Sequence, residues 1–305
     1  MRYGLMIGDE DGQAGAGLDH VVSQARHAAE LGMASVAMSQ IFSYDALTAL
    51  AVIGREVPGI GLSTAVVPTY PRHPMVLAGQ ALTTNAACGG RLLLGIGLSH
   101  QIVIESMFGY SFAQPARHME EYLSVLMPLL RGETVSFKGE SVSAVGAVSV
   151  PGATAPAVVL AALGSRMLKL AGTLADGTVT WMTGPATVAD HIVPTIVSAA
   201  QGAGRPSPRV GVGLPVCVTD DPDGARETAA GLFSIYGQLP SYQAMLAREG
   251  VDGPAGVAIV GDEDSVAAQI GAVAEAGATD FVAAVFGSSE EATRGRALIS
   301  SLARG

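Results

Sequence analysis

The segment from Gly59 to His100, GIGLSTAVVPTYPRHPMVLAGQALTTNAACGGRLLLGIGLSH, constrains the fold of this chain more than any other. Ile60 to Val67 is an apolar, β-branched run without strict alternation. That pattern suits a strand buried on both faces, as in a parallel sheet. Pro68, Pro71 and Pro74 then break the run. Pro74 suits a first helical turn, where its missing N–H would be unpaired anyway. Met75, Ala78, Ala81, Leu82 and Ala86 recur at helical spacing, and Gly89-Gly90 stops that helix. Arg91 leads into Leu92 to Ile96, a second buried strand, and polar groups appear only past its end, in Gly97-Leu98-Ser99-His100. Parallel α/β folds place ligands beyond the C-terminal ends of their strands.

The same alternation runs through the chain. Tyr3 to Ile7 reads as the first strand, followed by a loop, Gly8 to Gly17, rich in Gly and Asp. Leu18, Val21, Val22, Ala25, Ala29 and Leu31 mark one helix face. Ser35 to Met38 is a short strand, with Ser39-Gln40-Ile41 after it and a helix from about Tyr44 to Arg55. Beyond the opening segment, a helix around His118 to Leu130 precedes a short β excursion turning at Lys138-Gly139. Val158 to Ala162, Gly177 to Trp181, Arg209 to Val218 and Thr279 to Phe286 are the last four strands. Helices are expected from Gly164-Ser165, near Ala189 to Gln201, through most of Gly224 to Gly250, from Ser265 to Ala276 and from Glu290 to Leu302.

Eight strands alternating with helices, without a second compositional regime, predict one (β/α)8 TIM barrel over residues 1–305. Insertions are expected after strand four, at about 101–156, and after strand seven. An open doubly wound sheet is the rival. A chain of this length buries roughly 75% of its unfolded surface, so one core suffices. The net charge of −10 argues against a nucleic-acid or anionic-membrane partner. It leaves open a phosphate-bearing cofactor, because helix N-termini bind phosphate without net positive charge. Two cysteines, Cys88 and Cys217, fit a reduced compartment. With no signal-peptide pattern and no apolar run of membrane-spanning length, the expectation is a cytoplasmic protein.

Several residues at strand ends carry candidate chemistry. Gly95-Ile96-Gly97 lacks the third glycine of a dinucleotide fingerprint. The two glycines serve either close packing at a barrel rim or close approach of a flat cofactor to bare backbone. His100 follows the strand end and is a candidate catalytic residue. The other histidines show no metal-ligand spacing, so no metal is expected. The absence of G-x-S-x-G around Ser99 disfavours a hydrolase. Ala161-Ala162-Leu163-Gly164-Ser165 ends strand five and opens a helix, a seat for phosphate or an ordinary cap by Ser165. Trp181 ends strand six, either against a ligand or in the core.

Together these pieces resemble the luciferase-like flavin and deazaflavin oxidoreductases, especially the coenzyme F420-dependent branch of actinobacterial type. The specific matches are Thr64-Ala65-Val66-Val67-Pro68-Thr69 with Pro74, Gly90-Arg91 through Gly97, Arg117-His118-Met119-Glu120-Glu121-Tyr122, Leu129-Leu130-Arg131-Gly132, Ala161 to Ser165, and Ala175-Asp176-Gly177. The resemblance implies a deazaflavin in the barrel mouth, its ring against Thr64, Ala65 and Val66. It implies contacts from Ser39, Gly97, Leu98, Ser99 and Trp181. The phosphate would lie at Ala161, Ala162, Leu163, Gly164, Ser165 and Arg166. It also implies a non-prolyl cis peptide at Thr64–Ala65 or one bond further on. Alcohol-oxidising members carry an acidic residue and a histidine where this chain has Ser39-Gln40-Ile41, and a glutamate where it has His100. The expected activity is therefore an F420H2-dependent reductase of an activated double bond, with His100 as proton donor and Gln40 orienting substrate or ring. The alternatives are an FMN-dependent monooxygenase and a cofactor-free barrel acting as a binding protein or subunit. A small-molecule or peptide substrate and a homodimer complete these expectations.

Overall fold

The computed structural model describes residues 1–8 and 17–305. The predicted loop from Gly8 to Gly17 lies mostly outside the described residues. In chain order the elements begin with β1 (Arg2–Ile7), α1 (Leu18–Glu30), β2 (Ser35–Met38), α2 (Ala46–Glu56), β3 (Gly61–Thr64), β4 (Val67–Pro68), α3 (Pro74–Ala87) and β5 (Leu92–Gly97). A π-helical turn (Val103–Met107), α4 (Pro115–Leu130) and the hairpin of β6 (Val135–Lys138) and β7 (Ser143–Gly146) follow. Next come β8 (Ala157–Ala161), α5 (Ser165–Leu174), β9 (Gly177–Trp181), a short α6 (Pro185–Thr187), α7 (Val193–Gly202) and β10 (Arg209–Val218). The chain closes with α8 (Pro222–Leu232), α9 (Pro240–Glu249), β11 (Ile259–Gly261), α10 (Glu263–Glu275), β12 (Asp280–Val285) and α11 (Ser289–Arg304).

The barrel closes through parallel pairs in the order β1, β2, β3, β5, β8, β9, β10, β12 and back to β1. Tyr3, Val36, Leu62, Leu94, Val159, Val179, Val212 and Val282, one in each predicted strand, fall in these eight strands, which rules out the open sheet. Local chemistry sets the helix starts. Pro74 opens α3 behind the His73 cap, Asp45 caps α2, and Ser288 with Glu291 forms a capping box at α11. α4 packs between α3 and α5 in the outer ring. It is therefore the fourth crossover helix itself, and what exceeds the βα unit is the loop 98–114 and the β6–β7 hairpin. Glu121 pins that hairpin by accepting backbone N–H bonds from Glu140, Ser141 and Val142 at 3.0, 2.7 and 3.0 Å. After strand seven, β10 runs on past its pairing with β9 and takes β11 as a new neighbour at Val216–Val218.

The end of the barrel away from the strand C-termini is knitted by charged groups. Arg91 donates to the carbonyl oxygens of Cys88, Val57, Ile60 and Gly54. Asp280 accepts from Arg209 on β10 and pairs with Arg2 on β1. These groups hold strands together where no ligand is expected, the stability face of such a barrel. No described helix is long and apolar enough to cross a membrane.

Candidate functional site

The predicted site residues converge on one end of the barrel, where β2, β3, β5, β8 and β9 all terminate. The first of them to be fixed are those of strand three. β3 pairs with β5 through Ser63, the ladder resumes at Val67, and the peptide bond Ala65–Val66 between them is cis. This is the expected position one bond beyond Thr64–Ala65. The Thr64 hydroxyl fills the gap in the ladder, donating to the Gly95 carbonyl at 2.7 Å and accepting from the Gly95 N–H at 2.8 Å. Thr64 is buried, and its hydroxyl both donates and accepts within the strand pair. Ala65 and Val66 are half-buried at the bulge.

The two readings of Gly95 and Gly97 separate here. A Cβ on Gly95 would lie 2.1 Å from the Thr64 carbonyl oxygen and 3.0 Å from Val66 Cγ1. A Cβ on Gly97 would lie 2.7 Å from Val66 Cγ2 and 3.1 Å from the Ala161 Cβ. Both glycines are needed for β5 to close against the bulge, so rim packing accounts for them. Beyond Gly97 the backbone turns sharply at Ser99, whose φ of 59° is left-handed. Met182, past the end of β9, shares that conformation at φ 51°. Non-glycine residues in this region gather at ligand sites.

His100 is half-buried, and no described residue hydrogen-bonds its ring nitrogens. Burial pulls its pKa below the usual 6.5, because the charged imidazolium loses hydration. Its nearest aromatic neighbour is Tyr242, with ring centroids 5.9 Å apart. Tyr242 comes from the insertion after β10, as do Phe233 and Tyr236, which meet the Trp181 ring edge-on at 6.0 and 5.9 Å. The insertion thus covers the mouth with an aromatic cluster, and Trp181 Nε1 is buried within it without a partner. Sequence reasoning found Trp181 but missed these partners. They lie at no recognisable period, and only the fold brings them together.

Gln40 makes a structural contact in addition to the role expected of it. Its Oε1 accepts the Ala46 N–H at 2.7 Å, in the first turn of α2. The carbonyl end of the amide therefore caps a helix, and only its NH2 group is left for a ligand. Ser39 and Leu98, just past the ends of β2 and β5, are half-buried. At strand five, the Ala162 carbonyl accepts from Thr178 at 3.3 Å and the Leu163 carbonyl from the His191 ring at 2.8 Å. α5 then begins with Gly164 as its cap residue and no side-chain cap. Ser165 is the first helical residue, so the capping reading of Ser165 falls away. Gly164, Ser165 and Arg166 are exposed, and a Cβ at Gly164 would meet nothing within 4 Å. An uncapped helix N-terminus with open space in front fits an anion.

A second aromatic group flanks the mouth. Tyr70 stacks between His118, at 4.0 Å and 7° between planes, and Phe112, at 5.3 Å. His118 bonds Thr69 Oγ1 at 3.1 Å. Burial lowers its pKa to about 4, keeping it neutral, and lifts that of Tyr70 to about 12. The Tyr70 hydroxyl is buried without a partner. Among the described residues, no group of three or more His, Cys, Asp or Glu side chains is placed to hold a metal ion.

This architecture has known counterparts. The chain superposes on the coenzyme F420-dependent tetrahydromethanopterin reductase of Methanopyrus kandleri with a TM-score of 0.80 at 22% identity, covering 98% of this chain and 97% of that one. In sequence it is 30% identical to a 5,10-methylenetetrahydromethanopterin reductase of Methanolobus tindarius over 218 residues, 71% of this chain. It is 28% identical to a putative coenzyme F420-dependent oxidoreductase of Mycobacterium tuberculosis over 192 residues, 58% of this chain. The matched stretches span 66% and 54% of those two relatives, less than two thirds of either. The model of the luciferase-like monooxygenase family matches residues 1–280, and the chain belongs to that family.

Proposed function

We propose that this protein is an oxidoreductase that uses reduced coenzyme F420 to add hydride to an activated carbon–carbon double bond of an organic substrate. The observation that carries this reading is the imidazole of His100, half-buried beside Tyr242 at the mouth, with no described residue hydrogen-bonded to its ring nitrogens. Ser39-Gln40 offers no acid/base pair at the end of β2, and Gln40 is occupied as a helix cap. One relative above is named a putative coenzyme F420-dependent oxidoreductase and the superposed structure is of a coenzyme F420-dependent reductase, which supports F420 over FMN.

The residues present fit a deazaflavin. The bulge at Ala65–Val66 would back its ring, and the N–H groups of Ser165 and Arg166 at the open end of α5 would hold its phosphate. When bound in reduced form, the cofactor supplies two electrons and one proton as hydride. Hydride added at the β-carbon of an unsaturated carbonyl leaves the electron pair of the broken π bond as an enolate. His100 in its protonated form donates a proton to the α-carbon and is left neutral, to be reprotonated from solvent. The aromatic cover of Trp181, Tyr236 and Tyr242 excludes water from this step. The substrate is a small molecule, and the protein acts as a homodimer.

The test is anaerobic incubation with F420H2 and a simple enone, following the return of oxidised F420 absorbance. Stoichiometric reoxidation with formation of the saturated ketone supports the reading. Turnover that instead requires FMN and oxygen would replace it with the monooxygenase.

A further inference from the structure

The loops after β2 and β5 carry an apolar surface that is exposed among the described residues. Ile41 and Phe42 are 57% and 61% exposed, and Met107 and Phe108 are 60% and 40% exposed. The Phe42 and Phe108 rings bridge the two loops at 6.4 Å. Scattered apolar side chains are ordinary on a surface, but a contiguous patch at a site entrance marks a binding region. Two further ring pairs, Tyr70 with Phe112 and His100 with Tyr242, lie at the same mouth.

Charge narrows what can sit there. Residues 39–45 and 98–114 contain no lysine or arginine. Their two acids are already engaged. Asp45 pairs with Arg72 and caps α2. Glu105 accepts from Gln101 Nε2 at 3.0 Å and from the Phe112 N–H at 3.2 Å. A carboxylate or phosphate substrate would lose hydration here and find no counter-charge. A cationic substrate would find Asp45 offset by Arg72, and only Glu105, held by two neutral donors, with its charge unpaired. The Tyr70 hydroxyl and the Trp181 N–H are buried without a hydrogen-bond partner in the aromatic groups that flank the mouth.

We infer that the substrate is a neutral, predominantly apolar molecule, an enone whose hydrocarbon part lies across Phe42 and Phe108 while its carbonyl enters toward His100. This rests on the reductase reading and narrows it to a substrate class. Chain length counts at such a surface, because each buried methylene contributes about fourfold in affinity.

The experiment uses the full chain and its only tryptophan, Trp181, as the reporter. Fluorescence titration compares 3-decen-2-one with trans-2-decenoate, of matched length but anionic, and with the short 3-penten-2-one. Decenone is expected to bind at least tenfold tighter than either. The double variant Phe42→Ser, Phe108→Ser changes only exposed rings and keeps its circular dichroism and Tm. It should bind decenone at least tenfold more weakly. Equal affinity for decenoate, or unchanged decenone binding in the variant, overturns the inference. So does a variant that turns a dimer into a monomer on sedimentation while binding decenone as before, since the patch would then be an interface between copies. Binding of decenone without F420H2-dependent reduction upholds the surface and removes the reductase reading. Equally efficient reduction of short or charged acceptors overturns the surface and leaves the reductase.

Discussion

Substituting Gly95 by alanine tests how the site is built. The added methyl would sit 2.1 Å from the Thr64 carbonyl oxygen, against an ordinary contact of about 3.4 Å or more. That oxygen belongs to the backbone, so relief requires the bulge to shift by more than 1 Å. Overpacking of this kind costs about 1–3 kcal/mol. The shift also breaks the two hydrogen bonds between the Thr64 hydroxyl and Gly95, each worth about 1 kcal/mol net. The expected loss is about 3–5 kcal/mol, a large part of the roughly 5–15 kcal/mol that holds a typical protein folded. Urea unfolding followed by circular dichroism measures it. Gly271→Ala is the control, since Gly271 lies inside α10 with nothing within 4 Å of the added methyl, so stability should hold or rise by about 0.5–1 kcal/mol. If Gly95→Ala kept its urea midpoint and lost only cofactor affinity, the glycine would serve ligand approach and the packing account would be wrong.

His100→Ala should lower turnover by about 10²–10⁴-fold with cofactor affinity nearly intact, and His100→Gln should match it if proton transfer is the role. Because burial lowers the His100 pKa, its donor form is scarce at neutral pH. Reductive turnover should therefore rise as pH falls through 6.5 toward that lowered value, and the pH profile of His100→Ala should be flat over the same range. Ser165→Pro removes one N–H at the first helical position, where proline is tolerated, so a folded variant should bind F420 more weakly; unchanged affinity on fluorescence titration places the phosphate elsewhere. Asp280→Ala unpairs Arg209 and Arg2 at the barrel seam and should cost about 2 kcal/mol in urea unfolding. Burial raises the Asp280 pKa, but hydrogen bonds from Arg209 and Thr279 outweigh it and leave the value below 3.8. Its contribution is thus present above pH 3.8 and lost as pH falls through the lower folded value, and the variant should lack that acid-limb loss.

The barrel was legible because buried parallel strands leave continuous apolar runs, and residues such as Leu94 and Val212 could hardly sit elsewhere. β11 escaped because Ile259–Gly261 is too short to show a pattern and forms only because β10 overshoots β9. Polar residues beyond strand ends located the mouth, including His100 and the turn at Gly164. Gly95 and Gly97 were ambiguous in principle, since close packing and ligand approach call for the same residue. The helix-capping contact of Gln40 was not legible because it depends on the start of α2, six residues away, swinging back over its carbonyl oxygen. The aromatic cover was not legible at all, because Tyr236 and Tyr242 reach Trp181 and His100 only through the path of an insertion.

The central claim, that this mouth holds reduced F420 for hydride transfer, is tested most directly by titrating the purified chain with F420 and with FMN. F420 should bind with a saturable change in its fluorescence and at least tenfold more tightly than FMN. Tighter binding of FMN, or no binding of either, would contradict the account.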